Sequence, residues 1–135
     1  MTDIVALLNA YPAALPPIDR DALVLCVQEC LNCTQASTAC ADACLADLGR
    51  VDLARCTSAA LDCADLTGVT VRMVTRQTGY DAELLRAVLQ ACIEACRACY
   101  DECRKHALEH EHCRVCGEAC QRCAKACREF LTTIK

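Results

Sequence analysis

The stretch Cys92-Ile-Glu-Ala-Cys96-Arg-Ala-Cys99-Tyr-Asp-Glu-Cys103-Arg-Lys-His106-Ala-Leu-Glu-His110-Glu-His-Cys113-Arg-Val-Cys116-Gly-Glu-Ala-Cys120-Gln-Arg-Cys123-Ala-Lys-Ala-Cys127 decides the fold. Its cysteines, with His106 and His110, recur in alternating steps of four and three, broken by one repeated step of three at Cys113 to Cys116. Residues so spaced line one stripe of an α-helix, the stripe that a bundle turns inward. Such a seam ordinarily carries Leu, Ile and Val; this one carries sulfur. Between the stripes lie Glu94, Arg97, Asp101, Arg104, Lys105, Arg114, Glu118, Arg122, Lys125 and Arg128, which read as an ordinary solvated face.

Working outward, the same spacing recurs upstream as Cys26, Cys30, Cys33, Ser37, Cys40 and Cys44, with serine in one slot of the repeat. Asp19 is placed to cap this helix, which runs to about Leu48 and stops at Gly49. A second long helix, capped by Asp52 and ending at Gly79, carries Cys56 and Cys63, with Thr70 and Met73 near the same phase. Asp81 caps a third, with Glu83 in its first turn where the helix dipole favours acid. Residues 3–10 form a short amphipathic helix, and Pro12, Pro16 and Pro17 hold the linker extended. A single helix over 82–133 would be about 78 Å long at 1.5 Å per residue. A turn near residues 108–112 buries the stripes more compactly. The expected architecture is all-α: an antiparallel up-down-up-down four-helix bundle with a short N-terminal helix, one domain over residues 1–135.

Antiparallel pairing with turns near 50, 80 and 110 predicts levels along the bundle axis. Cys44, Cys56, Cys103 and Cys116 share one; Cys40, Cys99 and Cys120 the next; then Cys33, Cys63, Cys96 and Cys123; then Cys30, Cys92 and Cys127. Cys26 and Met73 fall at the far end, and His106, His110 and Cys113 gather at a histidine-bearing mouth. His112 falls off the seam and is assigned to solvent. Met73 stays open between core packing and soft ligation.

Sixteen of 135 residues are Cys, a fraction that in a short secreted chain would suggest a disulfide scaffold. The N-terminus, with an acid and no basic residue before a short interrupted apolar run, makes a poor secretory leader. No apolar run approaches the roughly 18 residues that span a bilayer. The expected compartment is therefore the cytoplasm, where thiols stay reduced. Geometry concurs: helix neighbours three or four apart hold their Cβ atoms about 5–6 Å apart, against about 3.5–4.5 Å in a disulfide. The net charge of −4, with both signs mixed, argues against nucleic acid.

A buried free Cys behaves as a small hydrophobe, and one or two would be ordinary core residues. A whole seam of them is different. Cys is smaller than Leu, so the axis would keep volume that costs packing energy unless something fills it. Soft thiolates select Cu(I), Zn(II) or iron–sulfur clusters. Zinc knuckles and ferredoxin motifs place their cysteines in loops, whereas these lie inside helices. Zn(II) on four thiolates also leaves two negative charges in an apolar interior. Cu(I) brings one positive charge and replaces one thiol proton, so one ion per sulfur keeps the core neutral. The metal ligands so assigned are the cysteines, with His106 and His110 at the mouth, and the capacity is many ions, on the order of one per Cys. Nothing resembles an activated nucleophile with a positioned base, which points to a store and not an enzyme.

The motifs Cys26-x₃-Cys30-x₂-Cys33-x₆-Cys40-x₃-Cys44, Cys92-x₃-Cys96-x₂-Cys99-x₃-Cys103 and Cys113-x₂-Cys116-x₃-Cys120-x₂-Cys123-x₃-Cys127 cover most of residues 19–133. In these the chain resembles the bacterial copper storage proteins, in the branch without a leader. The resemblance implies a Cys-lined four-helix bundle holding many Cu(I) ions in the cytosol. It also implies a homotetramer, for which Leu84, Leu85, Val88 and Leu89 would offer a contact surface, with copper chaperones or small thiols as exchange partners. Two alternatives stand beside this reading: a zinc or mixed-metal thiolate buffer, and a thiol redox protein with a few acidic, exposed cysteines.

Overall fold

The structure, a computed structural model, describes residues 3–47 and 53–135. A short helix α1 (Ile4–Asn9) precedes four long ones: α2 (Arg20–Ala46), α3 (Ala54–Thr75), α4 (Ala82–His106) and α5 (Glu111–Thr133). Each long helix packs on its two neighbours, α2 on α3 and α5, α4 on α3 and α5, which closes a four-helix ring. The pairing is antiparallel. As numbers rise along α2 they fall along α5, with Cys26 against Cys127, Cys30 against Cys123 and Cys33 against Cys120.

Side chains at the helix starts explain three of the boundaries. Asp3, Asp19 and Asp81 accept hydrogen bonds from the amides of Ala6, Ala22 and Leu84, satisfying donors that a helix start leaves open. The expected stop at Gly49 and cap at Asp52 lie outside the described residues. α3 ends at Thr75, short of Gly79, because buried Gln77 turns back and donates from its amide to the Val74 carbonyl at 2.7 Å. That bond takes up a carbonyl the next turn of helix would have used.

The reversal between α4 and α5 falls at residues 107–110, earlier than expected. Moving the centre of a hairpin by about one and a half residues moves the facing partner by about three, somewhat less than one helical turn. Cys116 therefore lies 3.8 Å from Cys99 while staying within 4.8 Å of Cys103 and Cys40, between the two expected levels, and Cys113 takes the place opposite Cys56 at 3.9 Å. Cys120 likewise drops to the level of Cys33 and Cys63. The levels joining Cys33, Cys63 and Cys96, and Cys30, Cys92 and Cys127, are as expected.

Carbon closes the far end of the bundle. Phe130, Leu23, Leu89 and Val74 are at most 2 % exposed, and burying each side chain contributes about 1.5–3 kcal/mol. On α3 the seam continues past Cys63 as Thr67 and Thr70, fully buried, whose hydroxyls donate to the carbonyls of Cys63 and Leu66 at 2.8 and 2.7 Å. The apolar group expected as a contact surface is mostly internal: Leu85, Val88 and Leu89 are buried, and of the four Leu84 alone is exposed.

Candidate metal centre

All sixteen cysteines are free and buried, Cys44 the least so at 6 % exposed. Their stripes meet along the axis. Cys63 links the helices at mid-height, with its sulfur 3.6 Å from Cys33, 3.8 Å from Cys96 and 3.9 Å from Cys120. Below it Cys30 lies 3.5 Å from Cys123 and 3.6 Å from Cys127, which reaches Cys92 at 3.8 Å and Cys26 at 3.7 Å. Above it Cys99 contacts both Cys103 and Cys116, and Cys56 contacts both Cys103 and Cys113. Ser37 fills its slot without breaking the column, its hydroxyl 3.7 Å from both Cys33 and Cys116.

These separations far exceed the roughly 2.05 Å of a disulfide bond. They suit two thiolates sharing one soft ion, since metal–thiolate bonds of about 2.3 Å allow a span of up to about 4.6 Å. Several groups have all their sulfurs within 4.8 Å of one another: Cys30, Cys92, Cys123 and Cys127; Cys40, Cys44, Cys56 and Cys113; Cys33, Cys63 and Cys120; Cys33, Cys96 and Cys123; and Cys40, Cys103 and Cys116. Cys33, Cys40 and Cys123 each belong to two groups, and Cys99 contacts Cys116 in the next, so neighbouring sites share ligands along one column.

The thiols ionise unevenly. Burial raises Cys44 and Cys113, and the neighbouring Cys56 reinforces both shifts. Contact with Cys127 instead holds Cys26 low, at about 5.

The histidine end is arranged differently from the expectation. His112, assigned to solvent, has its Nδ1 3.5 Å from the sulfur of Cys40 and 3.6 Å from that of Cys113. Its Nε2 faces Asp47 Oδ2 at 3.5 Å. A carboxylate on one ring nitrogen with the other turned to the metal is the usual arrangement of a metal-binding imidazole. Asp47 also pairs with His110 Nδ1. Partial burial raises the Asp47 carboxyl, but the His112 and His110 rings beside it outweigh that and hold it below the ordinary carboxylate value. His110 is the residue immediately before α5, and its buried Nε2 has no hydrogen-bond partner among the described residues. His106, at the end of α4, stands edge-on to His110 with ring centroids 6.2 Å apart. Met73 is half-buried and lines a cavity of about 400 Å³ with Leu23, Val74 and Phe130, at the carbon-filled end.

The sequence model of the family described as "Copper storage protein" matches residues 19–132, all but the last residue of the long-helix region. The chain belongs to the copper storage protein family. Storage of copper is the function this membership carries, and the core cysteines are the groups able to hold Cu(I). The family implies a storage role, not catalysis.

Among solved structures, the chain is similar to the copper storage protein Ccsp of Streptomyces lividans loaded with 10 copper equivalents. Identity is 52 %, with 97 % of this chain and 99 % of that one covered and a TM-score of 0.94. A five-copper structure of the cytosolic copper storage protein from the same organism matches at 52 % identity, covering 86 % of this chain and 97 % of that one, with a TM-score of 0.84. The uncharacterized cysteine-rich protein YhjQ of Bacillus subtilis is 33 % identical over 91 residues, 67 % of this chain and 79 % of that protein. Among the described residues no helix is long and apolar enough to cross a membrane.

Proposed function

We propose that this chain is a cytosolic, high-capacity store for Cu(I), folded as one domain over residues 1–135 and holding on the order of one ion per cysteine. The observation that carries this reading is the continuity of the sulfur column, in which each sulfur has others close enough to share an ion. A neutral column fits an apolar interior. Each Cu(I) exchanges for one proton, so filling adds no net charge, whereas tetrathiolate zinc would leave two negative charges per site.

The ligands are the cysteines of all four long helices. At the mouth His112 joins Cys40 and Cys113, and His106 and His110 meet arriving ions, the free Nε2 of His110 being available to one. The exchange partners are copper chaperones or small thiols, with no role for nucleic acid or membrane. The subunits assemble as a homotetramer. Exposed apolar side chains on α1, α2 and α3, such as Leu7, Leu31 and Leu61, are the surface suited to that assembly.

Elemental analysis of protein purified anaerobically from copper-supplemented cells tests the reading. Copper is expected in large excess over zinc, at many ions per chain. Copper at one to four per chain, or zinc at equal content, would overturn it. Light scattering on the same sample reads the assembly.

A further inference from the structure

The outward face of α4 and α5 is not evenly mixed in charge. Between these helices runs a groove of about 460 Å³, within the range of small-molecule sites. Its rim carries Arg97, Arg122, Lys125 and Arg128, and none of its nine lining residues is an acid. The chain as a whole has 18 acids against 14 Lys and Arg, so this local excess runs against the net charge. Arg97 is already engaged by Glu94 and Asp101, and Arg122 by Glu29. Lys125 and Arg128 are exposed and have no ion-pair partner among the described residues. The floor includes Cys96 and Cys120, flanked by Ala124 and Tyr100. Both cysteines contact Cys63, where sulfurs from all four helices meet. The groove therefore sets an anion-attracting rim above the middle of the column. Cys96 lies ten residues from His106 on the same helix, about 15 Å at 1.5 Å per residue.

We propose that this groove binds small carboxylate-bearing thiols and their Cu(I) complexes, and that copper passes from them through the side of the bundle to Cys96 and Cys120, fully buried at its floor, when the side chains between α4 and α5 part. This rests on the storage reading above. The soft metal calls for a thiolate carrier, and the cationic rim calls for carboxylates. In the transfer step the bond from Cu(I) to the carrier sulfur breaks and a bond to the cysteine sulfur forms. The cysteine proton passes to the departing carrier thiolate, and copper remains Cu(I). Charged groups are depleted at the cores of protein interfaces, so this face suits a soluble anion better than another subunit.

The test mixes reduced protein with one equivalent of Cu(I) held either by glutathione, which carries two carboxylates, or by cysteamine, which carries none. Copper retained by the protein after rapid desalting is followed over time in the wild type and in a Lys125→Glu/Arg128→Glu variant. At low ionic strength the variant should load from glutathione about tenfold more slowly, the lower end of electrostatic steering. From cysteamine it should load no more slowly than the wild type. The glutathione difference should vanish in 1 M salt, where the screening length is about 3 Å. Independently of copper, S-methylglutathione should shift the amide resonances of Ala124 and Lys125 in the wild type and not in the variant. Equal loading of both proteins from glutathione, or shifts confined to the histidine end, would overturn the proposal. Copper capacity, read by continuing the additions past the first equivalent until no more copper binds, separates the two claims: a wild type that saturates at one to four ions overturns the storage reading, while the S-methylglutathione shifts still decide the groove.

Discussion

Cys63 supplies the sharpest separation between sulfur as filler and sulfur as ligand. It is fully buried on α3 and its sulfur touches one cysteine from each of the other three long helices, at 3.6 to 3.9 Å. Cys63→Ala removes one heavy atom from the packed axis. Losing the burial of an atom about the size of a methylene costs about 0.8 kcal/mol. The void left behind adds about 24 cal/mol per Å³ of unrelaxed volume, giving on the order of 1–2 kcal/mol for the copper-free protein. Cys63→Val refills that volume and should recover most of the loss, as near-isosteric core exchanges usually cost under about 1.5 kcal/mol.

Copper distinguishes the two variants from the wild type but not from each other. Each should lose about one ion of capacity by charge balance, with further weakening of ions shared with Cys33, Cys96 and Cys120. Urea unfolding of the reduced protein reads the first effect, and chelator competition under nitrogen reads the second. A valine variant that regains copper capacity together with stability would refute the ligand role of Cys63, as would unchanged capacity in both variants.

Contacts elsewhere in the bundle give three more predictions. Burial raises Cys44 and Cys113, so both hold their protons at pH 7 and a Cu(I) ion binding there must displace them. Acidification then favours the proton over the metal. Affinity at this end should fall about tenfold per pH unit for each proton released, measured by competition between pH 8 and pH 6, and a flat profile would contradict it. His112→Ala removes the nitrogen that stands against Cys40 and Cys113. It should weaken the copper site at that end by about tenfold, or about 1.4 kcal/mol, while leaving the far-end group of Cys30, Cys92, Cys123 and Cys127 filled. Phe130→Ala, at the carbon-filled end, should cost the copper-free protein about 3–5 kcal/mol without lowering the number of ions bound per folded chain, checked by calorimetry and metal analysis.

The seams were the legible part of the fold, because cysteines at strict helical spacing must share one face of their helix, and a bundle turns that face inward. Asp19 and Asp81 were legible as caps because capping is equally local. What escaped the sequence was set by contacts between segments. The end of α3 depends on the Gln77 side chain folding back on the Val74 carbonyl, and no periodicity announces that. The relative level of α4 and α5 depends on where the chain reverses; with no Gly or Pro to mark the turn, a small error in its centre was doubled to about three residues of register.

His112 was missed because it stands one position before the stripe of α5. Only the nearness of α2 brings Cys40 and Asp47 to it. The hydroxyls of Thr67 and Thr70 continue the α3 seam where sulfur stops, a substitution visible in the spacing once Cys63 is placed. The basic groove was partly legible: Arg122, Lys125 and Arg128 recur at steps of three with no acid between residues 119 and 128, whereas Arg97 lies far away in the chain and joins them only through the packing of α4 on α5.

Protonated thiols are small apolar groups, and those at contact distance here pack as a core would, with Phe130 and Leu23 sealing one end.

The most direct measurement is an anaerobic titration of the fully reduced protein with Cu(I) in the presence of a chromophoric Cu(I) chelator, with thiols counted on the same sample. The chelator should stay colourless until bound copper reaches on the order of one ion for each of the sixteen cysteines. Colour appearing after one to four ions would show that the sulfurs serve as core packing with a few isolated sites.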